Sequence, residues 1–166
     1  TILDQEIFLI FFLGMNLIDW IAIVTAIIFQ GFLFSVGMNM NKKICKDWFI
    51  ELQNLICDAV LELEKEYGST AKFKKNKWSK GEYRIIEGNV IEKGGVAFSN
   101  VIGKFPKDFA KQIPGTKKNN NFWSSGVSVV LHPVNPKVPA LHFNTRHIIT
   151  SKSWFGGGID ATPCLK

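Results

Sequence analysis

The segment that most constrains the fold is GVSVVLHPVNPKVPALHFNTR, residues 126–146. Apolar and polar side chains alternate in its first and last parts, as they do along a strand with one buried face. The three prolines between residues 133 and 139 cannot donate to a strand ladder, so the strands should be separated near 133–140. The segment predicts an antiparallel hairpin with one polar face. That face would carry Ser128, His132, His142, Asn144 and Arg146, all at even positions.

The chemistry of this predicted face is unusual for a sheet surface exposed to water. It has no Lys, Asp or Glu. Imidazole, amide, hydroxyl and guanidinium groups suit oriented hydrogen bonds, proton transfer and carboxylate binding. Two interpretations stay open on the residues alone: an ordinary solvated face, or a site for a ligand that bears carboxylates.

The rest of the chain predicts one helix followed by several strands. Apolar residues recur at spacings of three and four over 47–67, and Gly68 is placed to end that helix. The basic stretch 72–84 fits a loop or an edge strand, 89–105 fits short strands broken by paired glycines, and 106–121 fits a loop. A helix followed by antiparallel strands indicates an α+β fold.

The glycine run WFGGGID, residues 154–160, has two interpretations. It matches neither the GxGxxG pattern nor a Walker loop, which argues against a phosphate site. We expect a tight turn that allows close approach of the backbone to a partner.

The first 40 residues differ in composition from the remainder. Residues 20–38 contain only three polar side chains, which meets the length of a membrane-spanning helix, and lysines follow at once. No positive charge precedes the apolar run, which argues against a secretory signal. Three alternatives remain for residues 1–40: a membrane span, upstream sequence joined to a domain that starts near Met38 or Met40, or a buried helix. We treat 1–40 and 41–166 as separate units.

Charge and cysteine content limit the function classes. The first 40 residues hold no Lys or Arg, so all 20 basic residues lie in the remainder, with 11 of the 14 acids. This balance favours an anionic partner, which could be a membrane surface, nucleic acid or a small molecule rich in carboxylates. The lysines are scattered without a recognition motif, so we do not expect nucleic-acid binding. The three cysteines form no CxxC pair and have no zinc-finger spacing, and nothing demands an oxidising compartment.

Three segments carry a resemblance to a known family. GGVAFSNVIGKF, GVSVVLHPVNPKVPALHFNTR and SWFGGGIDATP, in this order and at these separations, closely resemble the oxygen-dependent coproporphyrinogen III oxidases of haem biosynthesis. The resemblance runs from about Met40 to Pro163. It implies an antiparallel sheet flanked by helices, here preceded by an apolar helix. It also implies decarboxylation of two propionates of coproporphyrinogen III to vinyl groups, with molecular oxygen as co-substrate and protoporphyrinogen IX as product.

The resemblance assigns roles to individual residues. His142 matches a proposed proton donor, and both His132 and His142 match histidines assigned to a divalent metal. The residues that match substrate-binding positions are Ser128, Asn144, Thr145 and Arg146. Family members are homodimers, and the resemblance implies a cytoplasmic location, or a membrane-associated one if residues 7–38 span a bilayer.

The chain also departs from the family pattern. A glycine-rich run usually follows the tryptophan that Trp78 matches, and Leu-Thr-Pro-Tyr/Phe-Tyr usually follows the aspartate that Asp160 matches; this chain has SKGEYRIIEGN and ATPCLK. Family members run on much further, supplying more histidines, an Asp-Arg pair and the dimer contact. We therefore expect residues 41–166 to be the amino-terminal portion of such a domain, with little oxidase activity: the product of a split or decayed gene, or a fragment of a longer reading frame. The alternative is a membrane-anchored module that binds anionic ligands without catalysis.

Overall fold

In the part of the chain that the structure describes, each strand pairs antiparallel with the next strand in the sequence. The computed structural model describes residues 42–165. Within them, one six-stranded sheet has the order β1-β2-β3-β4-β5-β6. The elements in chain order are α1 (Lys42–Glu66), β1 (Lys74–Trp78), β2 (Gly81–Ile86), β3 (Ile91–Lys104), α2 (Lys107–Ala110), β4 (Asn121–Pro133), β5 (Ala140–Ile149) and β6 (Ser153–Thr162).

Helix α1 forms because its apolar residues fall on one stripe that packs against the sheet. It begins five residues before the predicted start at residue 47 and ends where predicted. Gly68 has φ 71°, and the N–H of Ser69 donates to the carbonyl of Glu64 at 2.9 Å. A glycine takes this left-handed conformation at little cost, so the sequence stops the helix here.

The core lies between α1 and one face of the sheet, mainly over β3 and β4. Side chains at alternate positions of each strand point into it, so β4 contributes odd-numbered residues. The buried apolar residues in contact are Phe49, Leu52, Cys57, Val60, Ile86, Ile91, Val96, Phe98, Val127, Val129, Leu131 and Leu141. We call this the helix face of the sheet, and the opposite one the site face.

Two buried polar side chains fix α1 to the sheet. The Gln53 amide donates to the carbonyls of Glu82 and Val96 at 3.1 and 3.0 Å. The Glu64 carboxylate accepts the backbone N–H groups of residues 89, 90 and 91 at 2.7, 3.1 and 2.7 Å. The bonds to Glu64 thus pair backbone N–H groups of the turn between β2 and β3 that would otherwise have no acceptor.

Three sequence predictions about local structure need correction. The run 154–160 is not a tight turn, because it lies inside β6 with no glycine in a left-handed conformation. Strand β3 is one strand of 14 residues that continues through Gly94 and Gly95 instead of breaking there. The predicted loop 106–121 contains the short helix α2. The prediction of an edge strand within 72–84 is confirmed by β1.

The hydrophobic segment 1–40 and its predicted apolar helix lie outside the described residues, and the division at residue 41 stays a prediction. Among residues 42–165, neither helix combines the length and the apolar character needed to cross a bilayer.

Candidate functional site

The polar residues predicted to share one face of a hairpin do share it. In the pairing of β4 with β5, Ser128 lies opposite Asn144, Val130 opposite His142, and Gly126 opposite Arg146. Even positions on both strands therefore point to the site face, away from α1. The loop between the strands spans 134–139, as the prolines predicted.

Arg146 and Asn144 form one half of the polar arrangement. The Arg146 guanidinium donates to the Asn144 side-chain carbonyl at 2.8 Å, and Arg146 is exposed. This bond uses one of five guanidinium N–H groups, so a fork remains free for a carboxylate. Thr145 points to the helix face, opposite Val127. The structure thus does not bring its side chain to the other predicted residues, and only its backbone adjoins them.

His142 and Asp160 form the other half. They are directly opposite in the pairing of β5 with β6, and His142 Nδ1 lies 3.2 Å from Asp160 Oδ2. The hydroxyl of Thr162 donates to the same oxygen at 2.5 Å. The Thr162 hydrogen bond and then the one from His142 hold the pKa of Asp160 below its ordinary value. An ionised carboxylate only accepts, so Nδ1 donates its proton to Asp160, and Nε2 is the ring nitrogen that faces away from Asp160.

Sequence reasoning missed Asp160 as a partner of His142. The two are 18 residues apart, and they meet only because the turn after β5 sets the register of β6. A carboxylate in the middle of an otherwise uncharged strand, GGGIDAT, was the available signal.

The two predicted metal-binding histidines are close but do not make a complete site. The ring centroids of His132 and His142 lie 5.7 Å apart. Within residues 42–165, no three His, Cys, Asp or Glu side chains are placed to hold a metal ion. Catalytic zinc normally has three protein ligands, so His132 and His142 by themselves are an incomplete set.

Glycines make much of the site face flat. A Cβ built at Gly95 or Gly156 meets nothing within 4 Å, and one at Gly158 meets only the Asn144 amide nitrogen at 3.9 Å. None of these glycines has a left-handed φ, so the fold itself does not require them. Gly126 differs, because a Cβ there would lie 2.4 Å from the carbonyl oxygen of residue 145.

The arrangement suits a broad, flat ligand with carboxylates. Arg146 and His142 are four residues apart on β5, which is roughly 13 Å along a strand. The glycines of β6 lie opposite Arg146 and Asn144, and Tyr83 and Trp78 on β2 and β1 are exposed on the far side of the same face. Aromatic faces and bare backbone both leave room for a broad ring system.

Comparison with known proteins agrees with this geometry. A family model described as coproporphyrinogen III oxidase matches residues 44–166. The chain belongs to the coproporphyrinogen III oxidase family. This confirms the resemblance found in the three sequence motifs.

Curated relatives support the membership. The oxygen-dependent coproporphyrinogen-III oxidases of Rickettsia felis and Rickettsia africae are each 43% identical over 133 residues. That of Rickettsia bellii is 40% identical over 133 residues. Each alignment covers 74% of this chain and 48% of the relative, so the chain spans about half the length of the curated relatives it matches.

Proposed function

We propose that the site face binds coproporphyrinogen III and takes part in the oxygen-dependent decarboxylation of two of its propionates to vinyl groups, giving protoporphyrinogen IX. Family membership supports this reaction. The observation that carries the assignment to this face is the pair of polar arrangements, Arg146 with Asn144 and His142 with Asp160, on one flat surface lined by glycine.

Arg146 is the proposed carboxylate ligand. The other arginine among the described residues, Arg84, lies on the helix face, buried, with its Nε 2.7 Å from Glu82. Arg146 therefore supplies the guanidinium of the site face, and Asn144 holds its orientation. Ser128, opposite Asn144, adds a hydroxyl that can donate to the same propionate.

His142 is the proposed proton donor. In the net reaction each propionate loses carbon dioxide and a hydride equivalent, and oxygen accepts the two electrons together with two protons. The hydride equivalent supplies one proton, so one more must be delivered for each vinyl group formed. The contact of Nδ1 with Asp160 turns Nε2 of His142 away from the carboxylate, and in the imidazolium form Nε2 carries the proton to be delivered.

The site face is open, and we therefore expect the chain alone to turn over slowly. Ser128, His132, Arg146 and Asp160 are all exposed. Exclusion of water and closure around the substrate contribute much of an enzyme's rate. Homodimer formation and metal binding by His132 and His142 stay predictions, and no step of this proposal uses a metal.

Ligand binding gives the direct test. We expect the full chain to quench coproporphyrin III fluorescence on binding. Arg146→Ala should weaken binding about thirtyfold, since loss of a charge-assisted hydrogen bond costs on the order of 2 kcal/mol. Lys75→Ala, on the helix face of β1, is the control and should leave the affinity unchanged.

Two outcomes would count against the proposal. If Arg146→Ala and the unaltered chain bind coproporphyrin III with equal affinity, the binding site is not on this face. Binding that survives Arg146→Ala but falls with Lys75→Ala would favour the alternative function, an anion-binding module that depends on overall positive charge.

A further inference from the structure

Lysines gather at one end of the sheet. This basic end comprises the start of α1 (residues 42–48), the connection between β3 and β4 with its flanks (102–122) and the turn between β5 and β6 (149–153). Its nine lysines are Lys42, Lys43, Lys46, Lys104, Lys107, Lys111, Lys117, Lys118 and Lys152. Its two acidic residues each pair with a nearby lysine: Asp47 with Lys43 of α1, and Asp108 with Lys111, the residue after α2.

Contacts between the three segments hold these lysines in one region. Lys42 Nζ lies 6.0 Å from the centre of the Trp123 ring, which places the start of α1 over the start of β4. The hydroxyls of Thr150 and Ser151 donate to the carbonyls of Pro114 and Gly115 at 2.8 and 2.7 Å. A depression of about 600 Å³ is lined by Lys107, Lys111, Lys117, Lys118 and neighbouring residues.

The other end of the sheet has the opposite charge. It comprises the last turns of α1 (58–66), the turn between β2 and β3 (87–93), the loop between β4 and β5 (134–139) and the end of β6. The connection between α1 and β1 (67–73) lies at this end too. The acids here are Asp58, Glu62, Glu64, Glu66, Glu87, Glu92 and Asp160, against Lys65, Lys72, Lys93 and Lys137. The domain is therefore polarised along its strands, and an anionic surface would attract one end and repel the other.

Apolar side chains project from the basic end. Ile102 is 78% exposed, Phe109 50% and Ile44 46%. The Phe109 ring contacts Phe105, which stacks on Phe122 with ring centroids 4.2 Å apart. These contacts hold the Phe109 side chain in place. Lysines around exposed apolar side chains are the combination that binds the interface of an anionic bilayer.

The apolar segment of the sequence joins the domain at this same end. Residues 7–38 are almost continuously apolar, and the first described residue is Lys42. Basic residues beside an apolar element add electrostatic attraction to anionic lipids, and two such signals on one surface reinforce each other.

We propose that the basic end is a docking surface for an anionic phospholipid bilayer, and that it acts beside the junction with residues 7–38. Charge complementarity and the position of that junction both select this surface. The strands then point away from the bilayer, and the site face opens to the side.

Vesicle binding by variants of the full chain tests the proposal. The first variant changes Lys104, Lys107, Lys117 and Lys118 to Gln. The matched control changes Lys72, Lys74, Lys75 and Lys77, at the β1 edge, to Gln, so both variants lose the same charge and keep residues 1–41. On vesicles of phosphatidylcholine with about one third phosphatidylglycerol, the first variant should bind about thirtyfold or more weakly, and the control less than about threefold.

Amide hydrogen exchange of the unaltered chain gives a second measurement that needs no variant. Anionic vesicles should protect amides in 105–119 and leave those in 134–139 unchanged. Equal losses for both variants, no loss for either, or protection at the opposite end would overturn the proposal. So would equally strong binding to pure phosphatidylcholine, which would assign attachment to residues 1–41 alone, or tighter binding to a DNA duplex than to vesicles.

Discussion

Replacing Gly156 and Gly158 with alanine should separate the stability of the fold from its ligand binding. Both glycines lie on the site face of β6, opposite Arg146 and Asn144. A Cβ has open space at each position, and neither backbone conformation excludes a side chain. The double substitution should therefore be tolerated by the folded chain.

The two effects should have opposite signs. Glycine inside a strand is less stable than alanine by roughly 0.5–1 kcal/mol, so the double variant should gain about 1–2 kcal/mol in the free energy of unfolding. Two methyl groups on the flat surface would hold a planar ring off the backbone by about 1 Å, and a gap of this size forfeits a quarter to a half of the dispersion energy between the facing atoms. We expect coproporphyrin III to bind about tenfold more weakly.

Urea unfolding followed by circular dichroism and fluorescence titration with coproporphyrin III measure the two effects. Gly157→Ala is the control, because Gly157 points to the helix face and its Cβ would lie 2.5 Å from the Asn144 carbonyl oxygen. It should lose about 1–3 kcal/mol of stability through strain. If the double variant binds the porphyrin as well as the unaltered chain does, the glycine surface is not where the ring lies and the reasoning fails.

Three further predictions concern single side chains. Burial raises the pKa of Glu64, but hydrogen bonds from Ile91, Ser69, Asn89 and Val90 outweigh it and leave the pKa low. Glu64→Gln should therefore lower the free energy of unfolding by about 3 kcal/mol near pH 7, more than the same change at exposed Glu62. This loss should shrink as pH falls below about 4.3, because the unfolded form of the unaltered chain then binds a proton at Glu64 that the folded form does not. A loss independent of pH would contradict this. Burial lowers the pKa of His147, so the unfolded chain binds a proton at a pH where the folded chain does not. The free energy of unfolding should therefore fall as pH drops through about 6.5. If His147→Phe shows the same pH dependence, His147 is not its source. In Asp160→Asn, nitrogen-15 NMR should show a changed tautomer ratio for His142, whose Nδ1 loses its carboxylate acceptor; an unchanged ratio would show that Asp160 does not orient the ring.

The hairpin of β4 and β5 was predictable because all the information lies within 21 residues. Alternation with period two assigns each residue to a face, and the prolines from 133 to 139 limit where the strands can end. A slip of one residue would bury His142 and Arg146 and expose Val129, so only one register is stable. The same logic predicted α1, whose spacing and terminal Gly68 are both local signals.

The glycine run of β6 could not be assigned correctly from local preference. Glycine clusters are more typical of turns than of strands, and β6 forms because its backbone pairs with β5 over ten residues. The same preference suggested a break at Gly94 and Gly95, where β3 continues between β2 and β4. In both cases pairing with neighbouring strands overrides the weak strand preference of glycine.

Local sequence information predicts one contact of the candidate site, and the other contact depends on distant parts of the chain. Arg146 and Asn144 are two residues apart on one strand, so their contact follows from the strand period alone. His142 meets Asp160 only through the register of β6, which depends on the length of the turn at 150–152 and on its hydrogen bonds to residues 114 and 115. One residue more or less in that turn would move the carboxylate to the helix face and leave His142 without an acceptor. A loop distant from the site therefore controls the tautomer of the proposed proton donor, which is why the sequence revealed Arg146, Asn144 and His142 but concealed the carboxylate that His142 contacts.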